Sequence, residues 1–256
     1  MKTITNVHPN EPARPRTEQQ PMTNTTTAWH TPREAPSAAP EGDTATFGAA
    51  EVAYAVSLTD GVQRQQAVAF LQIDEAFLTD QIAALGASSL LARGELSIEG
   101  DVLIASGAVR LLTAVLQTAV RWTEIALVND DGTEAALYLQ SPALSVFLQP
   151  AAMSTWVMVV KDPAAADSAV LAQLIESNRA RRPLGTAYLG TETAGSAKNH
   201  LFVRAAEGRP AEPQAWQVAD VPSNTDPNSF IGDAGDDVGT AELVGRLAEF
   251  VRLPGA

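Results

Sequence analysis

Cysteine is absent from the 256-residue chain, and histidine occurs only three times. Without cysteine the chain can form no disulfide, thiolate nucleophile, iron–sulfur cluster or cysteine-bound zinc site. Aromatic residues make up 5% of the sequence and do not alternate with basic residues, as single-stranded nucleic-acid binding would require. The missing residue types therefore exclude several common catalytic and binding chemistries.

Basic residues are also scarce, because 17 Lys and Arg face 30 Asp and Glu, giving a net charge of −13. Nucleic acids and anionic membranes are recognised by clustered cations, so neither is expected as the main partner. The one basic cluster, "NRARRP", contains Arg179, Arg181 and Arg182. We interpret it as charge at a helix C-terminus on a solvated face. The alternative is a docking patch for an acidic group.

No segment has the character of a membrane span or a secretory signal. The first twenty residues lack the apolar core of a signal peptide. Residues Ala135–Val160 carry no charge, but Pro142 and Pro150 divide them into short pieces. Residues Val102–Val120 place Arg110 at their centre, where lipid burial is costly. We therefore predict a cytoplasmic protein with no membrane span.

Residues 1–47 are predicted to form a disordered, Pro/Thr-rich tail. They hold seven of the sixteen prolines and few large apolar side chains, so they cannot bury enough surface to offset the entropy of ordering. His8 and His30 lie in this tail. The remaining residues, 48–256, are predicted to form one α+β domain, since 45% of the whole chain is hydrophobic.

The apolar periodicity of residues 48–256 predicts helices and strands that are segregated along the chain. Strands are predicted at 50–58 and 67–73, helices at 74–86, 88–94 and 102–119, strands at 121–128, 135–140, 144–149 and 155–161, a helix at 162–180, strands at 185–190, 200–206 and 216–221, and a helix at 240–253. Asp74 and Asp162 are predicted helix caps, and Gly86 a helix stop. The pattern favours an antiparallel β-meander packed against helices. A helix leads into strands twice, which suggests pseudo-symmetric halves.

The motif "NDDG" offers adjacent carboxylates at Asp130 and Asp131, with Glu124 and Glu134 on either side. Two carboxylates can act as acid and base when a cleft separates their pKa values. However, Asn, Asp and Gly are also the residues that tight turns prefer, and Gly132 supplies a positive φ. We interpret the motif as the turn that begins the meander.

Nucleophilic catalysis has little support in the sequence. His200 is the only histidine beyond the tail, and the nearby Ser196 and Lys198 match no catalytic spacing. We interpret this segment as a polar loop between strands. Phosphate-binding glycine loops are absent too.

Only oxygen ligands remain for a metal ion. The acidic loop at 226–237 contains four candidates, Asp226, Asp233, Asp236 and Asp237. Their spacing departs from that of a calcium-binding loop, so a solvated loop is predicted, with a weak cation site as the alternative. No cofactor, metal-binding or catalytic residue is predicted.

The stretch "LLARGELSIEGDVLIASGAVRLLTAVLQTAVRWTEIALVNDDG" resembles the central region of the EspG-type chaperones of type VII (ESX) secretion. Its matching features are the helix ending in "LLARG", a short linker, an amphipathic helix, a strand and an Asp-Gly turn. A meander of apolar strands then extends the resemblance to Val160, under a third of the chain. The Pro-rich tail departs from the family pattern.

The resemblance implies a cytosolic α+β protein with internal pseudo-symmetry and no catalytic residues, which binds the helical tip of a secreted substrate. The family's substrate-binding loops do not align with this chain, so the resemblance assigns no binding residues. The first hypothesis is therefore a non-catalytic protein-binding chaperone. Two alternatives stay open: a structural or assembly subunit that acts through self-association, and a hydrolase-like enzyme whose Asp, Glu, Ser or Lys groups meet only on folding.

Overall fold

The computed structural model describes residues 44–130, 132–193, 196–206, 215–221 and 235–253. Its helices are α1 (Ala49–Ser57), α2 (Gly61–Phe70), α3 (Asp80–Ala92), α4 (Gly107–Thr118), α5 (Asp167–Arg181) and α6 (Thr240–Phe250). Its strands are β1 (Thr44–Gly48), β2 (Leu96–Glu99), β3 (Val102–Ala105), β4 (Arg121–Asn129), β5 (Gly132–Gln140), β6 (Ser145–Ala151), β7 (Thr155–Val160), β8 (Thr186–Thr193), β9 (Asn199–Ala205), β10 (Ala215–Val221) and β11 (Asp236–Gly239). The predicted α+β class is confirmed.

Nine of the described strands form one sheet in the order β1-β7-β6-β5-β4-β8-β9-β10-β11, and every neighbouring pair is antiparallel. The predicted meander corresponds to β4–β7 and is confirmed. Short connections leave each of these strands beside the next, as antiparallel pairing requires. Strands β2 and β3 form a separate two-stranded hairpin.

Four consecutive strands run outward from each side of the junction between β4 and β8, and a helix precedes each set. Strand β1 breaks this symmetry, because it adds a fifth strand beyond β7. The first core lies between α1–α4 and the face that carries Trp122 and Leu139. The second core lies between α5, α6 and the other face, with Ile125 and Leu189. The second core takes side chains from both halves of the sheet, so the helices do not follow the symmetry of the strands.

The two strands predicted first, at 50–58 and 67–73, are wrong, because residues 50–57 belong to α1 and residues 67–70 form the last turn of α2. Every residue from Glu51 to Val56 is buried, so α1 lacks the polar stripe that distinguishes a surface helix from a strand. Because α1 is packed around its whole circumference, its sequence shows no helical alternation of apolar and polar residues.

Several predicted helix boundaries are also corrected. Helix α3 begins at Asp80 with Thr79 as its cap, later than predicted. Asp74 instead caps a separate 3-10 turn, where its carboxylate accepts a hydrogen bond from the Ala76 amide at 2.9 Å. Helix α3 passes through Gly86 without stopping, and Gly94, with φ of 75°, follows its end. Helix α4 begins at Gly107 because residues 102–105 form β3. Thr113 of α4 is buried, and its Oγ1 donates to the Val109 carbonyl at 2.9 Å.

Helix α5 begins at Asp167, later than predicted. The Asp162 carboxylate accepts a hydrogen bond from the Ala164 amide at 2.8 Å, so it caps a preceding turn instead of the helix. Asp236 and Asp237 were predicted to lie in the acidic loop but belong to β11. Residues 226–234 of that predicted loop lie outside the described part of the chain.

The sheet begins at Thr44, slightly before the predicted domain boundary. Phe47 is fully buried and pairs with Trp156 of β7, so the last residues assigned to the tail belong to the sheet. Residues 1–43, with His8 and His30, lie outside the described residues. No helix among those described combines the length and apolar character needed to cross a membrane.

Candidate functional site

The β2–β3 hairpin exposes a group of large apolar side chains. Ile98 is 65% exposed, Val102 58%, Leu103 41% and Ile104 39%. The register places Ile98 opposite Leu103 on one face of the hairpin, while Val102 and Ile104 share the other face. Scattered apolar residues are normal on a surface, but a contiguous group on a projecting element is typical of an interaction site.

A buried ion-pair network holds the base of this hairpin. Glu51, which is 4% exposed, accepts hydrogen bonds from Arg93 Nη1 at 2.8 Å and from Ser89 Oγ at 2.7 Å. Arg93 Nη2 also donates to Glu95 Oε1 at 2.5 Å. The other oxygen of Glu95 accepts from the Val109 amide at 2.8 Å, in the first turn of α4. The arginine of "LLARG" thus joins α1, the end of α3 and the start of α4.

The "NDDG" motif is the turn between β4 and β5, as predicted. Asn129 of β4 pairs with Gly132 of β5, so the connection between the two strands is short. Asp131 lies outside the described residues. The flanking glutamates bind different cations. Glu124 Oε2 lies 2.8 Å from Lys198 Nζ, and Glu134 is held by arginines of α5. The two flanking carboxylates therefore do not form a pair.

Replacing Gly132 with valine is expected to lower the free energy of unfolding by about 1–3 kcal/mol, because its φ of 132° is strained for a β-branched residue. Urea denaturation would measure the loss. The matched control is Thr133→Val, one residue further along, where a change within about 0.5 kcal/mol is expected. Equal effects of the two substitutions would contradict the conformational argument.

The arginines of "NRARRP" lie at the end of α5, as predicted, but they are not simply solvated. Arg179 is 8% exposed, and its guanidinium lies 4.5 Å from the ring centroid of Trp216. Arg182 Nη1 lies 2.6 Å from Glu134 Oε1, and Arg181 Nη2 lies 3.7 Å from Glu134 Oε2. Arg179 therefore packs inside the second core, which corrects the interpretation of a solvated face.

His200 is buried on β9 beside Tyr188 of β8, and the Tyr188 hydroxyl is hydrogen-bonded to its Nδ1. Burial lowers the pKa of His200 and the charge of Lys198 lowers it further, whereas Glu124 opposes the shift. Burial and Glu124 raise the pKa of Tyr188 to about 12. At neutral pH the tyrosine therefore stays protonated.

Ser196 and Lys198, which flank His200 in sequence, interact with other groups. The Ser196 hydroxyl donates to the Thr193 carbonyl at 2.8 Å. Lys198 Nζ bridges Glu124 and the face of Phe70, 4.5 Å from the ring centroid. Folding thus gives His200 a tyrosine partner, and no contact joins it to Ser196.

The acidic loop is only partly described, because Asp226 and Asp233 lie outside the described residues. Asp236 Oδ2 lies 2.7 Å from Arg246 Nη2, which also lies 3.4 Å from Glu242 Oε1, one turn earlier in α6. In the part of the chain that is described, no group of three or more His, Asp or Glu side chains could hold a metal ion.

A second apolar feature lies on the face of β4–β7 that α1–α4 do not cover. It is a small crevice between this face and α5, with a cavity volume of about 60 Å³. Its walls include seven apolar side chains larger than alanine: Ile125, Leu127, Phe147, Val157, Val159, Val170 and Leu174. Glu134, Gln149, Gln173 and Arg181 supply polar groups to its lining.

Neither the hairpin surface nor the crevice was predicted from sequence. The hairpin did have a signal in "LSIEGDVLIA", where two apolar-rich runs flank a Gly-Asp pair. Comparison of the chain with models of known protein families and with curated protein sequences gives no match. Its function is therefore inferred from the surfaces themselves.

Proposed function

We propose that this chain is a non-catalytic, cytoplasmic protein that binds a helical segment of a partner, as a chaperone of the EspG kind binds a type VII secretion substrate. The observation that carries the proposal is the β2–β3 hairpin. Four large apolar side chains are 39–65% exposed on an element of only two strands. The sequence resemblance supplies the class of partner.

The hairpin cannot bury its own apolar surface. A two-stranded hairpin has too little area to form a core, and β2–β3 is not hydrogen-bonded to the main sheet. Its apolar groups therefore face water unless another molecule covers them. An amphipathic helix with apolar residues at i, i+3, i+4 and i+7 could cover one face of the hairpin.

The base of the hairpin is fixed, which favours binding. Leu96 is 3% exposed and belongs to the first core, and the Ser106 amide donates to the Glu95 carbonyl at 2.9 Å. The ion pairs of Arg93 with Glu51 and Glu95 lie next to the start of β2. A rigid support lowers the entropy lost when a partner orders the surface.

The proposal predicts that the double variant Ile98→Ser/Leu103→Ser binds its partner at least about tenfold more weakly, because two exposed apolar anchors on the same face are removed. The experiment co-expresses the chain with all-helical proteins encoded beside its gene and measures co-purification, followed by titration calorimetry on the recovered pair. Met153→Ser is the control and should bind normally, because it removes an even more exposed apolar side chain from the β6–β7 connection.

Recovery of no helical partner would count against the chaperone role, and full affinity in the double variant would place the interface elsewhere. Light scattering tests the alternative that the chain is an assembly subunit. In that case the wild-type chain forms a stable oligomer without any partner, and the double variant is monomeric.

A further inference from the structure

The two end strands of the nine-stranded sheet differ in how they resist pairing with another chain. An edge strand presents N–H and C=O groups that a further strand can bind, and charged side chains on the edge oppose such pairing. Strand β11 has only four residues, and its Asp236 and Asp237 are exposed. Strand β1 has the sequence Thr-Ala-Thr-Phe-Gly, which contains no charge and no proline. Its own sequence therefore leaves β1 open to strand pairing.

Two side chains bind the backbone groups on the outer side of β1. Arg93 Nη1 donates to the Thr46 carbonyl at 3.0 Å, and the Gly48 amide donates to Glu51 Oε2 at 2.9 Å. In a strand the N–H and C=O of one residue point to the same side, and the side alternates along the chain. Thr46 and Gly48 therefore point away from β7, which is the one strand beside β1 in the described part of the chain.

Arg93 and Glu51 supply the donor and the acceptor that a neighbouring strand would supply. The two groups form an ion pair at 2.8 Å, and they bind the backbone on either side of Phe47. The Arg93 guanidinium carbon also lies 5.9 Å from the centroid of the Phe47 ring. The ion pair therefore occupies the position that a further strand would need beside β1. Both side chains come from the helical layer, since Glu51 belongs to α1 and Arg93 follows α3.

We propose that the ion pair of Glu51 and Arg93 closes the outer edge of β1 against a second copy of this chain. Without the two side chains, the Thr46 carbonyl and the Gly48 amide are open to a new partner. The β1 strands of two copies then pair about a two-fold axis and join two nine-stranded sheets into one. A second copy fits because two uncharged β1 strands meet without charge repulsion. The ion pair thus sets the oligomeric state, apart from its contribution to stability.

Sedimentation velocity of the full chain over a range of concentrations tests the proposal. Every comparison uses the Ile98→Ser/Leu103→Ser background, so that association through the hairpin does not contribute. We expect Glu51→Ala/Arg93→Ala, which leaves the net charge unchanged, to form dimers at least about tenfold more tightly than the background chain. Arg93→Ala alone uncovers the Thr46 carbonyl and leaves Glu51 on the Gly48 amide, so it should strengthen association by a smaller factor.

Two kinds of control separate edge pairing from the association of a destabilised chain. Gly132→Val also lowers stability, but it lies in β5, which β6 and β7 separate from β1, and it should associate no more than the background chain. Thr46→Pro, added to Glu51→Ala/Arg93→Ala, should restore the monomer, because it removes an outward N–H and leaves the hydrogen bonds to β7 intact. Thr46→Lys should do the same by placing a charge on the exposed edge.

A dimer that forms in Glu51→Ala/Arg93→Ala and is lost on adding Thr46→Pro or Thr46→Lys would support the proposal. A variant that associates no more than the background chain would overturn it. Equal association of Gly132→Val would overturn it too, because association would then follow the loss of stability. A dimer that persists with both substitutions of Thr46 would place the contact outside β1. If Glu51→Ala/Arg93→Ala fails to fold, Arg93→Ala with and without Thr46→Lys decides in the same way.

Discussion

Replacing Gly86 with alanine is expected to lower the free energy of unfolding by about 3 kcal/mol. A Cβ at this position would lie 2.0 Å from the Ala50 carbonyl oxygen and 2.6 Å from its carbon, so α1 and α3 touch backbone to backbone there. Neither helix can yield by moving a side chain. Overpacking of this kind outweighs the gain of about 1 kcal/mol that alanine normally gives over glycine within a helix.

Gly245 provides the matched control for that substitution. It also lies inside a helix, α6, but a Cβ there would meet no atom within 4 Å. Gly245→Ala should therefore stabilise the protein by about 0.5–1 kcal/mol. Chemical denaturation of both variants measures the two changes. If Gly86→Ala stabilised the protein as much as Gly245→Ala, that result would contradict the backbone contact between α1 and α3.

Replacing Arg93 with alanine is expected to cost about 2–3 kcal/mol. The Glu51 carboxylate would remain buried without its cationic partner, and a buried carboxylate that loses its pair is strongly destabilising. The Arg93 side chain is 38% exposed, so water can partly replace it, and the effect stays below that of a fully buried pair. The hydrogen bond from Arg93 to the Thr46 carbonyl at 3.0 Å would also be lost.

A double-mutant cycle with Glu51→Gln and Arg93→Ala, measured by thermal and urea unfolding, isolates the pair. We expect a coupling of about 1–2 kcal/mol. Arg110→Ala removes an exposed arginine and should change stability by less than about 0.5 kcal/mol. Additive single effects in the cycle would show that Arg93 acts independently of Glu51.

The strands were the most predictable part of the fold. In β5–β7 alternate residues such as Leu139, Val146 and Met158 point into one core, so a period of two is visible in the sequence. Helix α1 was not predicted, because a helix that is buried on all sides shows no amphipathic period. Helix α2 is buried only near its end, at Gln66, Ala67 and Phe70, and a short apolar run of this kind fits a strand equally well. Gly86 was read as a stop, since a glycine at a helix end and a glycine at a helix crossing look alike in one sequence.

The candidate binding surfaces were less predictable than the fold. Residues "VLIA" of β3 were predicted to form the first turn of α4, because they are apolar like the helix that follows them. Gly100, with φ of 62°, allows the two-residue hairpin turn with Asp101, and this pair was the available signal. The crevice depends on how far α5 stands from β5–β7, which periodicity does not specify. The contact between His200 and Tyr188 likewise depends on the pairing of β8 with β9.

The position of β1 at the outer edge of the sheet has a consequence for synthesis on the ribosome. Strand β1 is synthesised first among the described elements, but its partner in the sheet is β7. Phe47 therefore stays unpaired until Trp156 has been synthesised. Helices α1–α4 also emerge before the strands that cover their apolar faces, such as those bearing Val52, Leu90 and Leu112. At about 5–20 residues per second, this nascent half spends on the order of seconds with its apolar surface uncovered. The order of elements therefore makes the chain most prone to aggregation midway through its own translation.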